Sequence, residues 1–273
     1  RVYFSFVGEG KGSYTPEFGS ANGRVYRWVA PVNGMQQGSF EPVRRLVTPQ
    51  KRQMVRAGVS HHWANESSVY GNYALSNTDL NTFSKLDADD NIGHAFQLGF
   101  NQNILLGEKK SKFSFGGSAL KTSDGFRTID RFRPVEFERD WSISQNLNGG
   151  DEQMLQLWTS IEQKKKLFAK VEAESFSVAD WYFGKRISTS GWNKLSWLNA
   201  SWNGAIVQSS NTFVNSNFYR AKATLGSNIR FINFSFTGEL ENLQSSDARL
   251  DSVLSQSFDW YQIKSILSSP DTL

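Results

Sequence analysis

Along residues 53–242 the chain is built of short stretches in which every second residue is apolar, each closed by a polar or glycine-bearing turn. The clearest is 167–176, where Leu167, Ala169, Val171 and Ala173 share one parity and Lys170, Glu172 and Glu174 the other. A period of two puts two such sets on opposite faces of a β-strand. The pattern recurs at 54–63, with Val55, Ala57, Val59 and Trp63 against Arg56, Gly58 and Ser60, and at 69–76. It returns at 95–103, where Phe96, Leu98 and Phe100 alternate with Gln97, Gly99 and Asn101, and at 112–120 and 154–162. The stretches 194–202, 219–226 and 230–241 continue it, the last with Ile232, Phe234, Phe236 and Leu240 against Asn233, Ser235, Thr237 and Glu239. Turns every ten to fifteen residues between such runs predict an all-β chain, an antiparallel up-and-down sheet of about twelve to fourteen strands. Residues 247–258 are the one stretch that suggests a helix.

Proline divides the sequence. Pro16, Pro31, Pro42 and Pro49 fall in the first fifty residues, whereas central strands of a sheet exclude proline. Residues 1–50 therefore read as Gly/Pro-rich loops with one or two strands, at 2–7 and 24–29. Residues 51–245 read as the strands of a β-barrel, and 246–273 as a weakly structured terminal segment or the next strand.

Composition narrows the class. No apolar run approaches the roughly 18 to 20 residues of a membrane-spanning helix, a criterion that does not touch membrane barrels, whose inward residues are polar. Aromatic residues make 14% of the chain (21 Phe, 9 Trp, 8 Tyr), as strands and membrane-interface anchors both favour. The net charge is +4 from 30 basic and 26 acidic residues, scattered rather than gathered on one face. Lys164, Lys165 and Lys166, the longest basic run, fall at a hairpin turn, so nucleic acid is not an expected partner. With no cysteine there is no disulfide framework and no thiolate metal site. A chain opening on Arg1 without a signal pattern is expected to be a mature form or a piece of a longer protein, and the piece is the preferred reading.

The alternating runs, nearer nine to twelve residues than the five or six usual in a sandwich, have the length a tilted strand needs to cross hydrocarbon. Trp192 and Trp202 share parity ten residues apart, which on a single strand is roughly 33 Å of rise and near 25 Å of height after tilting. Together with Trp63 they are the expected membrane-interface aromatics. Their spacing matches two aromatic girdles, although Trp197 has the opposite parity.

In this pattern the chain resembles the large outer-membrane β-barrel proteins of Gram-negative bacteria. Two passages are similar to phrases of their long surface β-proteins: Asn22-Gly-Arg-Val-Tyr-Arg-Trp-Val-Ala-Pro31 leading to Phe40-Glu-Pro-Val43, and Arg131-Phe-Arg-Pro-Val-Glu-Phe-Glu-Arg-Asp-Trp141. The resemblance implies a bacterial outer-membrane or cell-surface location and brings no catalytic residues. Such barrels commonly finish on a strand with a terminal aromatic. This chain ends Ser-Ser-Pro-Asp-Thr-Leu273, so a segment of a longer barrel is expected.

Few constellations carry chemistry. The turn Gly8-Glu-Gly-Lys-Gly-Ser13 lacks the spacing of a phosphate loop. Asp87, Asp89 and Asn91 offer oxygens at alternate positions and make a weak calcium candidate, without the glycine and glutamate of an EF-hand. No other cofactor is expected. Glu136 and Glu138 would lie about 7 Å apart on one strand face, a spacing of some glycosidase pairs. Arg131, Arg133 and Arg139 beside them make local ion pairing the simpler account. His61 and His62, adjacent on a strand, point to opposite sides and cannot share one ion.

The leading expectation is a non-catalytic outer-membrane barrel acting as a channel, scaffold or translocation component. Its partners would be the lipid bilayer and other envelope proteins, and residues 126–141 would fold at its mouth or into its lumen. The alternative is a soluble extracellular β-sandwich or solenoid that binds glycans through exposed aromatics such as Trp181. A third is a surface hydrolase using Glu136 or Glu138.

Overall fold

A computed structural model describes residues 2–17, 25–44, 48–84, 91–107, 111–143, 149–163, 166–195, 197–229 and 232–269. The chain is all-β and antiparallel, and it divides into two units, one of Arg1–Gln50 with Leu80–Phe83 and one of Lys51–Asp79 with Ser84–Leu273.

The smaller unit holds β1 (Ser5–Phe6), β2 (Tyr14–Glu17), β3 (Val25–Trp28) and β4 (Phe40–Glu41), in the sheet order β1-β4-β2-β3. Four strands stand where the sequence suggested one or two, because each is too short to show alternation. Rings pin them together: Phe4 stacks on Tyr26 at 4.4 Å, and Tyr26 meets Phe40 at 5.0 Å. Pro16 is tolerated in β2 because β4 pairs with that strand only at Tyr14.

The larger unit is an up-and-down sheet of eleven strands whose order follows the chain. They are β5 (Lys51–Trp63), β6 (Ser67–Asp79), β7 (Ile92–Leu106), β8 (Ser111–Thr122), β9 (Glu152–Gln163) and β10 (Leu167–Val178). The meander continues with β11 (Tyr182–Lys194), β12 (Asn199–Asn211), β13 (Val214–Ile229), β14 (Ile232–Asp247) and β15 (Phe258–Ser268). Among the described residues β5 and β15 do not pair with each other, so the sheet is open. Residues 247–258 form no helix: Asp247 Oδ1 accepts from the amides of Arg249 and Leu250 in a side-chain-capped turn, and β15 follows.

The registers run without a bulge and fix which residues share a face. Val55 lies opposite Leu75, Tyr73 opposite Phe96, Leu98 opposite Ala119 and Leu157 opposite Ala173. The same apolar face carries Ala173 opposite Ile187, Ile187 opposite Ile206 and Leu240 opposite Tyr261. The other face carries Asn72 opposite Gln97, Gln156 opposite Glu174, Glu174 opposite Arg186 and Arg220 opposite Glu241.

At one end of the sheet all the connections are short. One is a 3-10 turn at Ala64–Glu66, where Asn65 takes φ 59°, a left-handed conformation that asparagine tolerates. The connections at this end, 64–66, 107–110, 164–166, 195–198 and 230–231, span two to four residues each. At the opposite end three connections are long, 80–91, 123–151 and 248–257, and two are short, 179–181 and 212–213.

The sheet is also staggered. A line of directly opposite residues runs through His61, Val69, Phe100, Gly117, Leu157, Ala173, Ile187, Ile206 and Tyr219. The short-turn end of the strand lies two residues beyond His61 (Trp63), six beyond Phe100 (Leu106) and six beyond Leu157 (Gln163). It lies seven beyond Ile187 (Lys194) and ten beyond Tyr219 (Ile229). That is a drift of eight residues in eight strand steps, or about one residue of rise (~3.3 Å) per ~4.8 Å step. If the turns lie at one level, the strands tilt by about 35°.

Candidate functional site

The polar face has its own interior, made by the β8–β9 connection folding back over it. Gly93 lets the chain turn in: a Cβ there would lie 2.1 Å from the amide nitrogen of Phe126, which no side chain permits. Arg127 then donates its amide to Ser76 Oγ of β6 at 3.0 Å. Further along, the Arg133 guanidinium pairs with Glu152 of β9 and lies over the Phe137 ring at 4.4 Å. A one-turn helix, α1 (Phe137–Asp140), delivers Phe137 and Trp141 onto Phe176 of β10, at ring separations of 5.2 and 5.6 Å. Gly184 of β11 leaves room for the indole, since a Cβ there would meet Trp141 Cε3 at 2.9 Å. The Tyr182 hydroxyl donates to the Trp141 carbonyl.

Trp141 and Phe176 are each 1% exposed and centre a cluster completed by Val178, Tyr182, Val207 and Phe218. Burying side chains of this size contributes roughly 1.5 to 3 kcal/mol apiece, enough to hold a connection that has little regular structure. Asp140 Oδ1 comes within 3.8 Å of Arg220 Nη1 on β13. The connection thus reaches from β6 to β13 across one face.

Beside α1 lies a cavity of about 480 Å³, lined by Asp140 and, from the strands, by Glu172, Arg186, Arg220, Lys222 and Glu239 among others. These charges form a ladder of neighbours. Lys170 Nζ lies 2.9 Å from Glu172 Oε2, Arg186 Nε 3.2 Å from Glu174 Oε2, Arg220 Nε 2.7 Å from Glu241 Oε1 and Lys222 Nζ 3.1 Å from Glu239 Oε2. Ser188, Ser190 and Asn203 add hydroxyl and amide groups to the same wall. Opposite charges side by side, within β10 for Lys170 and Glu172 and across strands for the other three pairs, stabilise a sheet face that is wet rather than packed. The surface is polar and close to self-neutral.

The apolar face is its inverse. Val55, Val59, Leu98, Leu157, Ile187 and Ile263 are each 60% exposed or more. Among residues of β5 to β15, charges on this face are Lys51, Asp79, Lys121, Lys185 and Asp259, all within four residues of the long-connection end. The rest of the face carries no aspartate, glutamate, lysine or arginine and is largely apolar, with uncharged polar residues such as Gln102, Thr159, Gln163 and Asn193 toward the short connections.

The residues singled out in the sequence are distributed as follows. Trp63 and Trp202 lie on the apolar face, Trp63 donating to Gln102 Oε1 at 3.2 Å and Trp202 lying opposite Gly191. Trp192 does not share that face. It lies near the end of β11 opposite Ser201 and Phe168 on the polar side, so the ten-residue spacing measures a hairpin and not one strand. The turn at 195–198 has neither glycine nor proline to announce it. Glu136 and Glu138 are not on a strand: Glu136 precedes α1 and pairs with Arg139 at 3.2 Å, and Glu138 lies within the helical turn. Asp87 and Asp89 lie outside the described residues; Asn91 accepts at its carbonyl from the Thr78 amide at 2.9 Å. Among the described residues no group of three or more His, Cys, Asp or Glu is placed to hold a metal ion. His61 stacks on Trp63 at 6.0 Å on the apolar face, with His62 opposite Ser68 on the other.

At the short-turn end Lys112 donates to Glu66 Oε2 at 2.9 Å, which holds the Glu66 carboxyl below its ordinary value.

Set against family models, curated proteins and solved structures, the chain matches none.

Proposed function

We propose that the eleven-stranded sheet is wall of a transmembrane β-barrel in a Gram-negative outer membrane. Its apolar face meets lipid, its polar face bounds a watery lumen, and the β8–β9 connection narrows that lumen. The role is non-catalytic, that of a channel, scaffold or translocation component whose charged interior accommodates polar cargo.

One observation carries the reading: the exposed face is the apolar one, with its five charges confined to one end. A soluble protein rarely exposes an apolar patch beyond a few hundred Å², and a sandwich would cover this face with a second sheet. Among the described residues of this unit nothing lies over it. Two features agree. A tilt of about 35° sits at the edge of the 35 to 45° that barrel closure requires. Connections of two to four residues throughout one end, with the three long connections all at the other, are the asymmetry expected of the periplasmic and extracellular rims of such barrels.

The test is fractionation of cells that make the protein. It is expected in the membrane fraction, to need detergent for extraction, and to run at different positions on a gel before and after boiling. Recovery as a detergent-free, soluble monomer contradicts the proposal.

A further inference from the structure

The cavity beside α1 leads further, on the footing of the barrel reading, which makes the polar face the wall of a lumen. The registers give its floor. Ser188 and Ser190 of β11 lie opposite Ala205 and Asn203 of β12. Glu172 and Lys170 flank them on β10, and Arg220 and Lys222 on β13. Small residues two strands wide thus run between two rows of long charged side chains. α1 bounds this trough where Asp140 approaches Arg220 and where Val207 and Phe218 join the buried cluster. At about 480 Å³ the space falls within the about 300 to 1,000 Å³ of small-molecule sites.

Charge and hydrogen bonding together decide the kind of ligand. Arg186, Arg220 and Lys222 each have a strand carboxylate within 3.2 Å, and Glu172 has Lys170 at 2.9 Å. A charged ligand would have to break one of these pairs to find its own partner. What the pairs leave over is one donor and one acceptor. Arg186 Nε, although 3.2 Å from Glu174 Oε2, and Asp140 Oδ1 are buried atoms without a hydrogen-bond partner among the described residues. Buried polar atoms are costly to leave unpaired, so each calls for a partner. An N–H to give and an oxygen to receive are both met by hydroxyl groups, which accept and donate alike. Ser188, Ser190 and Asn203 repeat that demand along the floor, and Ala205, Val207 and Phe218 offer carbon surface.

We infer that this trough binds a neutral saccharide, one sugar hydroxyl accepting from Arg186 Nε–H and another donating to Asp140 Oδ1. Further hydroxyls reach Ser188, Ser190 and Asn203, and the C–H edges of the ring rest on Ala205. The polar cargo of the lumen is then uncharged, and the ion pairs around it serve to hold the walls apart.

Titration calorimetry on the detergent-solubilised full chain tests this, with maltose, cellobiose and lactose as probes and glycine and sodium glutamate as charged comparators. At least one disaccharide is expected to bind saturably with a millimolar or tighter Kd, and neither comparator to displace it. No saturable binding of any of the three, or displacement by glycine or glutamate, overturns the inference. Asp140→Ala, which removes the acceptor, should weaken the bound disaccharide at least ~10-fold. Ala205→Leu fills the floor without touching a charge and should do the same. If Asp140→Ala also frees the connection to protease, Ala205→Leu decides, and undiminished affinity there overturns the inference. A protein soluble without detergent defeats the barrel reading whatever it binds, whereas a detergent-requiring protein that binds no disaccharide defeats only this inference.

Discussion

At the scale of single residues, two contacts decide whether the β8–β9 connection stays on the polar face. Trp141 fills a pocket that only a glycine at position 184 leaves open, and its carbonyl takes the Tyr182 hydroxyl. Trp141→Ala is expected to cost about 3 to 5 kcal/mol, the range for deleting a buried aromatic, read by denaturant unfolding of the folded protein. Gly184→Val should release the connection without melting the sheet. Protease cleavage within 123–151 should appear while the far-ultraviolet circular dichroism keeps its strand signal. Persistent protection of 123–151 would show that the indole is not the anchor. Glu66 gives a pH prediction. Its folded pKa lies below the unfolded one, so its contribution is present above the unfolded carboxylate pKa and is lost as pH falls through the folded value. Lys112→Ala should move the Glu66 carboxyl titration upward in an NMR experiment; an unchanged titration would mean that the pair is not formed in solution.

At the scale of elements, the apolar face of one strand should tolerate charge differently at different depths. Leu157→Arg in β9 lies inside the apolar band and is expected to cost about 2 to 4 kcal/mol in a bilayer. Gln153→Arg, on the same face near the long-connection end, should cost only about 0 to 1 kcal/mol. Equal costs, measured by unfolding from lipid vesicles, would remove the depth dependence the account requires. How far each element could be read in advance follows from how cleanly it alternates. β10 was legible because lysine and glutamate occupy every polar position between Lys170 and Glu174. β11 was not, since Gly184, Ser188 and Ser190 face Lys185, Thr189 and Gly191, and small residues on both faces erase the contrast. The turn after it was read as strand because Leu195, Trp197 and Leu198 are residues that strands favour. The segment of β15 was left between weak structure and a next strand because Trp260 sits on its polar face beside Tyr261 on the other.

At the scale of the molecule, alternation sufficed for an antiparallel meander and for which side chains share a face, but closure was beyond it. Closure depends on stagger and on edge partners, which are properties of pairs of strands rather than of any one. The same holds for the interior. That residues 126–141 fold at the mouth or into the lumen was an expectation from their charge; the structure places them on the polar face of the sheet, held by contacts that join Arg127 to Ser76 and Trp141 to Tyr182, across fifty-one and forty-one positions. No local pattern encodes such separations. The glutamates at 136 and 138 drew attention as a pair, whereas the groups that line the cavity beside α1 are dispersed over five strands and one helical turn.

The central claim is that the apolar face touches lipid. Spin labels placed one at a time along β10, at each residue of Leu167–Val178 in membrane-embedded protein, measure it most directly. Collision with oxygen, which concentrates in hydrocarbon, is expected at 169, 171 and 173, and collision with a water-soluble nickel reagent at 170 and 172, alternating with period two. Uniform accessibility to the water-soluble reagent on both faces, or no oxygen collisions at 169, 171 and 173, would contradict the account.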